Sequence, residues 1–272
     1  MTSTVVHVLV ERGVFDYDTR IADVWPESGA NGKHAATLRH ALTTPSASLP
    51  CRPTPEDLCD WDRMFATIAE AAPWWKPGTK TGYHAQTFGW IVGETVRRAT
   101  GKPISRILRE EVAGPLGVAD ELYFGVPESQ LGRLARLDEP GGSGAALASM
   151  PDVARQCGFV RLVTPERLRE ISAVAFSGLD QIMGFSTNWG LGYGLGRPGA
   201  DPRETMSVFG MVGMGGSAAY ADTATGIAFA LTRNRLDSGD LNAVVRVGEI
   251  GTATGAAAGR ARVTAPDPSR GC

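Results

Sequence analysis

Tyr83 stands where a phenol can do chemistry. It follows the turn Pro77-Gly78-Thr79-Lys80-Thr81-Gly82 and leads through His84 and Ala85 into the apolar segment Phe88-Gly89-Trp90-Ile91-Val92-Gly93. A turn rich in glycine and proline delivers one side chain to the mouth of the helix that follows. A phenol held at such a corner needs a partner or a task for its hydroxyl. Tyrosine so placed can serve as an acid or a base. Taken alone, a turn whose tyrosine merely packs on a helix accounts for the same residues.

Other schemes of nucleophilic or metal chemistry are not spelled out in the chain. Gly215-Gly216-Ser217-Ala218-Ala219 falls one glycine short of a Gly-x-Ser-x-Gly elbow and reads as the start of a hairpin. Ser143, among glycines, reads as a loop residue. There is no His-Glu-x-x-His pair, phosphate loop or dinucleotide fingerprint, and no cofactor is expected. His7 lies on an apolar face and reads as a core histidine; His40 and His84 read as surface or structural histidines near loops. Asp16, Asp18 and Asp23 read as a solvated edge. Cys51, Cys59, Cys157 and Cys272 have no metal-ligand spacing, so no metal is expected and the thiols read as reduced.

The elements that must hold Tyr83 follow from periodicity and punctuation. Thr4 to Arg12 reads as a buried helix ending at Gly13, and Asp16 to Trp25 as a connection. Ala36 to Thr43 reads as a short helix and Pro45 to Pro55 as a loop. Glu56 to Ala71 has helical spacing, Thr87 to Ala99 is an apolar helix stopped at Gly101, and Ile104 to Val112 is amphipathic. Further helices are expected near Pro151 to Phe159, over Pro165 to Val174 and over Leu241 to Ile250. Ser217 to Ala221, the turn Asp222 to Gly226 and Ile227 to Thr232 spell a β-hairpin. Gly251 to Cys272 has the composition of a disordered tail. Helices first and antiparallel strands last make an α+β protein. With 272 residues the chain buries about three quarters of its unfolded surface, enough for a real core. A net charge of -2 argues against a nucleic-acid partner, and no apolar run spans a membrane. Met1 runs into the apolar helix with no basic leader or cleavage site, so the expected location is cytoplasmic. Nothing in the sequence indicates an oligomeric state.

An ordered set of motifs resembles the serine β-lactamase superfamily, and more narrowly the class C β-lactamase-like esterases and penicillin-binding-protein relatives. It runs from Leu9-Val10-Glu11-Arg12-Gly13 through Trp25-Pro26-Glu27, Asn31-Gly32-Lys33 and Arg39-His40-Ala41-Leu42-Thr43 to the Tyr83 turn. Gly101-Lys102, Pro115-Leu116-Gly117, the glycine cluster before Ser217 and Asn234-Arg235 continue it in order. The resemblance implies a β-lactamase/transpeptidase-like fold and a hydrolase acting on a small ester or lactam-like substrate through an acyl-enzyme. It implies a Ser-x-x-Lys nucleophile, a Tyr-x-Asn tyrosine and a late strand motif beside an oxyanion-hole N–H.

Carried over residue by residue, the resemblance makes Tyr83 the acid or base. Ala85 stands at the Asn position, which tilts the expectation from lactams to short acyl esters. Met211-Val212-Gly213 aligns with the strand motif, making Met211 and Gly213 substrate-binding candidates and Met214 the oxyanion N–H. Lys80-Thr81-Gly82 spells that motif too, but lies in the turn before Tyr83 and not on a late strand. None of Lys33, Lys76, Lys80 and Lys102 has a serine three residues earlier; Ala30, Pro73, Pro77 and Ala99 stand there. The resemblance places the missing motif just upstream of Met1, so the chain is expected to be N-terminally truncated relative to the family. On this view residues 1–30 are the remnant of the nucleophile helix and its connection, and 31–188 a mainly helical region with the tyrosine motif. Residues 189–250 are strands and a closing helix, and 251–272 the tail. The expectation is a serine-hydrolase lineage whose chain as given does not turn over alone; the alternatives are a ligand-binding pseudoenzyme or a degenerate product.

Overall fold

A computed structural model describes residues 1–43, 60–135, 162–196, 206–213 and 217–232, with only the backbone at 85 and 86. The structure is α+β and divides into two units. Residues 1–132 with 149–193 form the first, and 133–148 with 194–272 the second.

In the first unit, α1 (Thr2–Glu11) buries Ser3, Val5, Val6, His7, Val8, Leu9 and Val10. Such near-continuous burial marks a helix enclosed by its neighbours, not an amphipathic surface helix. His7 lies inside as expected, its Nδ1 2.8 Å from the Tyr17 hydroxyl. Burial pushes its pKa down to about 3, so the ring is neutral. The stretch from Asp16 to Trp25 is more than a connection, because Ile21–Val24 forms a helical turn, α2, over the buried Trp25. In α3 (Leu38–Leu42), the Thr37 side chain caps the His40 N–H while the His40 ring accepts the Thr37 N–H, a reciprocal capping box.

Asp60 caps α4 (Trp61–Glu70), and α5 (Ala85–Thr100) ends on Gly101 at φ 69°. The expected Ile104–Val112 helix is α-helical only as α6 (Ile104–Ile107). It widens into a π-helical turn over Leu108–Ala113, where Gly114 N donates to Arg109 O at 2.8 Å. Thr164 and Pro165 start α7 (Pro165–Ser172). An antiparallel hairpin follows, of β1 (Phe176–Leu179) and β2 (Ser186–Trp189). The apolar core gathers Val5, Val6, Trp25, Leu38, Leu42, Met64, Val92 and Leu108.

The second unit contains β3 (Gly194–Leu195), β4 (Val208–Val212), β5 (Ala218–Asp222) and β6 (Ile227–Leu231), each antiparallel to the next. The β5–β6 hairpin is the one spelled by the sequence. Its turn is held by Asp222, whose carboxylate accepts from Ala224 N at 3.0 Å and Thr225 Oγ1 at 2.8 Å. Gly210 pairs with Tyr220, and an added Cβ there would fall 2.6 Å from Tyr220 Cδ1. The helices expected near 151–159 and 241–250, and the tail from 251, lie outside the described residues, as do 56–59.

Candidate functional site

The turn that carries Tyr83 is fastened from three sides. From within, Thr79 N and Oγ1 donate to Lys76 O at 3.1 and 2.7 Å, and Trp75 Nε1 donates to Lys80 O at 3.1 Å. From behind, Gly78 takes φ 82° directly against the His40 ring, and an added Cβ would lie 2.5 Å from His40 Nε2. Only glycine meets both demands. From the front, Gly82 is flanked by Trp75 and Ile182, with its Cβ position 2.8 Å from Trp75 Cη2 and 2.9 Å from Ile182 Cγ1.

Thr81 is fully buried, and its hydroxyl donates to Thr43 O at 3.1 Å. Thr81 O accepts from Gln181 N at 2.9 Å, and Tyr83 N donates to Asp180 Oδ1 at 3.2 Å. The β1–β2 loop is therefore joined to the tyrosine turn. The Tyr83 phenol is half-buried, and its hydroxyl has no hydrogen bond among the described residues. Burial raises its pKa, so near neutral pH it is a proton donor.

His84 opens α5, its Nδ1 2.9 Å from Thr87 Oγ1 and its ring edge-on to Phe88. Burial pushes its pKa down to about 4, against opposing pulls from the Ala41 carbonyl and Asp180. It is a structural histidine, as the sequence suggested. Ala85 is the first residue of α5. Around the turn, Trp74, Leu179, Ile182, Met183 and Phe185 are exposed apolar side chains of the same unit.

Two of the four lysines are engaged elsewhere and two face solvent. Lys33 is buried, its Nζ donating to Ala30 O at 3.0 Å, Ala69 O at 2.9 Å and Ala71 O; burial lowers its pKa. It ties the Asn31–Lys33 turn to the end of α4. Lys102 pairs with Glu110 at 2.7 Å, and Lys76 and Lys80 are exposed. Lys80-Thr81-Gly82 is turn, as its context required. In the second unit, Met211 is exposed on β4 opposite Ala219, and Gly213 N donates to Ser217 O at 2.8 Å. Met214 lies outside the described residues. A cavity of about 50 Å3 lies behind the turn, lined by Trp25, Lys33, Thr37, His40, Ile68 and Pro77 among others; Tyr83 does not line it.

Sequence reading missed Asp180. Its signal is faint: an aspartate followed four residues later by a glycine, which builds the tight loop of a hairpin whose strands are only four residues long.

A turn that presents a lone tyrosine at a helix mouth, ahead of an antiparallel meander, is the arrangement that a family comparison can decide. The family model described as Beta-lactamase matches residues 1–248. The chain belongs to the β-lactamase family. This β-lactamase-family chain is 30% identical over 290 residues to the esterase/beta-lactamase LipL of Mycobacterium tuberculosis (strain ATCC 25618 / H37Rv), covering 87% of the chain and 67% of LipL. Among solved structures, a penicillin-binding protein homologue from Caulobacter crescentus is 28% identical at TM-score 0.77, over 93% of this chain and 80% of that one. A family VIII carboxylesterase is 28% identical at TM-score 0.76, over 91% and 80%. The expected β-lactamase/transpeptidase-like fold is therefore established. No described helix is long and apolar enough to cross a membrane.

Proposed function

We propose that this member of the β-lactamase family recognises small apolar esters at the Tyr83 turn, with the phenol donating a hydrogen bond to an ester oxygen. The observation that carries this reading is the half-buried Tyr83 side chain, whose protonated hydroxyl makes no hydrogen bond among the described residues, inside a turn fastened on three sides. Such a hydroxyl is free to donate to a ligand oxygen. Two features favour an ester over a lactam. Ala85 offers no side-chain amide where the family motif carries Asn, and the exposed apolar side chains Trp74, Ile182, Met183 and Phe185 belong to the turn and the loop joined to it.

The four lysines engage in structural contacts or face solvent, so the 272 residues as given bind such esters without forming an acyl-enzyme. Loss of nucleophile and base removes several powers of ten of rate, on the order of 10⁶-fold, and leaves only about 10³–10⁴ over water. The test uses the purified chain with 4-nitrophenyl butyrate and a non-hydrolysable ether analogue. The expected result is no stoichiometric burst of nitrophenol, with saturable analogue binding read by tryptophan fluorescence and weakened about tenfold in Tyr83→Phe. A burst followed by turnover that Tyr83→Phe abolishes would overturn this reading and make the chain as given a working serine hydrolase. Binding indifferent to Tyr83→Phe would remove the tyrosine from the site.

A further inference from the structure

Asp180 is a carboxylate with no exposed surface and, among the described residues, no salt-bridge partner. One oxygen does all its visible hydrogen bonding: Oδ1 accepts the backbone N–H groups of Tyr83 at 3.2 Å, Ile182 at 2.9 Å and Met183 at 2.9 Å. Its backbone completes the joint, with Asp180 N donating to Phe185 O, Gly184 N to Asp180 O, and Thr81 bridging to Asp180 as a lone parallel pair. The other oxygen, Oδ2, is buried and has no hydrogen-bond partner among the described residues.

An aspartate that only shaped its own loop would need the Ile182 and Met183 amides and nothing more. This one also reaches 97 residues back in sequence for the amide of the one residue that the family motif makes chemical. Hydrogen bonds to a carboxylate are roughly twice as strong as neutral ones, so they fix a backbone amide firmly.

We propose that Asp180 is the positioning residue of the Tyr83 site, setting the height and direction of the phenol by holding the Tyr83 amide on the same oxygen that builds the 180–185 loop. The proposal rests on the reading of Tyr83 as the working group. It assigns Asp180 no contact with substrate. The loop carrying Ile182 and Met183 is thereby held in register with the tyrosine, so wall and phenol move as one piece. The partnerless Oδ2 is the cost of this arrangement: a neutral Asn would halve the strength of the three amide bonds but relieve the bare charge.

The experiment needs no substrate, so its failure is separable from failure of the ester reading, which the Tyr83→Phe binding test decides alone. The full chain is labelled with [13Cζ]tyrosine, and the Tyr83 resonance is assigned by its loss in Tyr83→Phe. In Asp180→Ala the Tyr83 signal and its titration are expected to move toward those of free tyrosine, with the signals of Tyr17 and Tyr193 unmoved. Asp180→Asn, which keeps an oxygen for the amides, is expected to restore them. Tyr83 signals unchanged in Asp180→Ala, or all tyrosines shifting together, would overturn the proposal and leave Asp180 a general structural residue. If Asp180→Ala does not fold, Asp180→Asn decides. The Tyr83 amide proton should exchange about fivefold faster or more while α5 amides keep their protection, and unchanged exchange at Tyr83 would overturn the proposal.

Discussion

Glu94 and Asp180 are both carboxylates with no exposed surface, and they are built in opposite ways. Glu94, in the middle of α5, is saturated. It accepts Trp61 Nε1 at 2.9 Å, Arg97 Nε at 2.7 Å and Nη2 at 2.6 Å, and Arg98 Nε at 2.8 Å. Burial pushes its pKa up, but the hydrogen bonds from Arg97, Arg98 and Trp61 outweigh that and hold it below the usual range. Among the described residues the Asp180 carboxylate meets only peptide N–H groups, all on one oxygen. The first arrangement welds two helices together. The second places a loop and a tyrosine while leaving an acceptor bare. One buried acid is paired with two guanidinium groups and an indole; the other is bound to the backbone it is proposed to position.

That contrast can be broken by mutation. Glu94→Ala leaves two guanidinium groups and an indole N–H without their acceptor, and is expected to cost about 3 kcal/mol in urea unfolding. Asp180→Asn keeps shape and acceptor and is expected to cost about 1 kcal/mol. Equal losses, or the reverse order, would dissolve the distinction.

The second test is pH. His84 beside the Tyr83 turn titrates at about 4, and His7 in α1 at about 3, against 6.5 for an unperturbed histidine. Both folded values are depressed, so the unfolded chain binds more protons below pH 6.5. The stability these neutral rings contribute is complete above pH 6.5 and is lost as pH falls toward 4. The slope is up to about 1.4 kcal/mol per pH unit per histidine, or roughly 2 kcal/mol each by pH 5. Melting temperature against pH should therefore fall below 6.5, less steeply in His84→Gln. An identical slope in that variant would mean that His84 is not held neutral by the fold.

The smallest effect concerns the turn itself. Gly78→Ala meets both a left-handed φ and the His40 ring, and should cost about 1–2 kcal/mol. Adding His40→Ala should return the part due to collision and not the part due to φ. A neutral Gly78→Ala would show that the turn does not need its glycine and that His40 is not its backstop.

Much of this was legible in the sequence because it is local. The apolar run at Val5–Val10, the αL stop at Gly101, and the Asp222–Gly226 turn between two alternating strands each carry their own signal within a few residues. The misses were non-local. The strands Phe176–Leu179 and Ser186–Trp189 are four residues each with no clean alternation, and exist because each pairs with the other. The π-helical turn at Leu108–Ala113 spells the same apolar pattern as an ordinary helix. Lys33 could have been a catalytic cation by type; only the three carbonyls around its Nζ make it structural.

The sequence by itself determined the family, the α+β class and the tyrosine turn, because glycine, proline and ordered motifs act over short stretches of chain. It also determined that no lysine here follows a serine at the required spacing. Only the tertiary structure decided what holds the tyrosine. Asp180 lies 97 residues from Tyr83, and no pattern of neighbours along the chain encodes a carboxylate oxygen closing on an amide that far away. Such a contact exists only once the hairpin loop has packed against the turn and water has been removed from both, which is when a charged acceptor must find its donors.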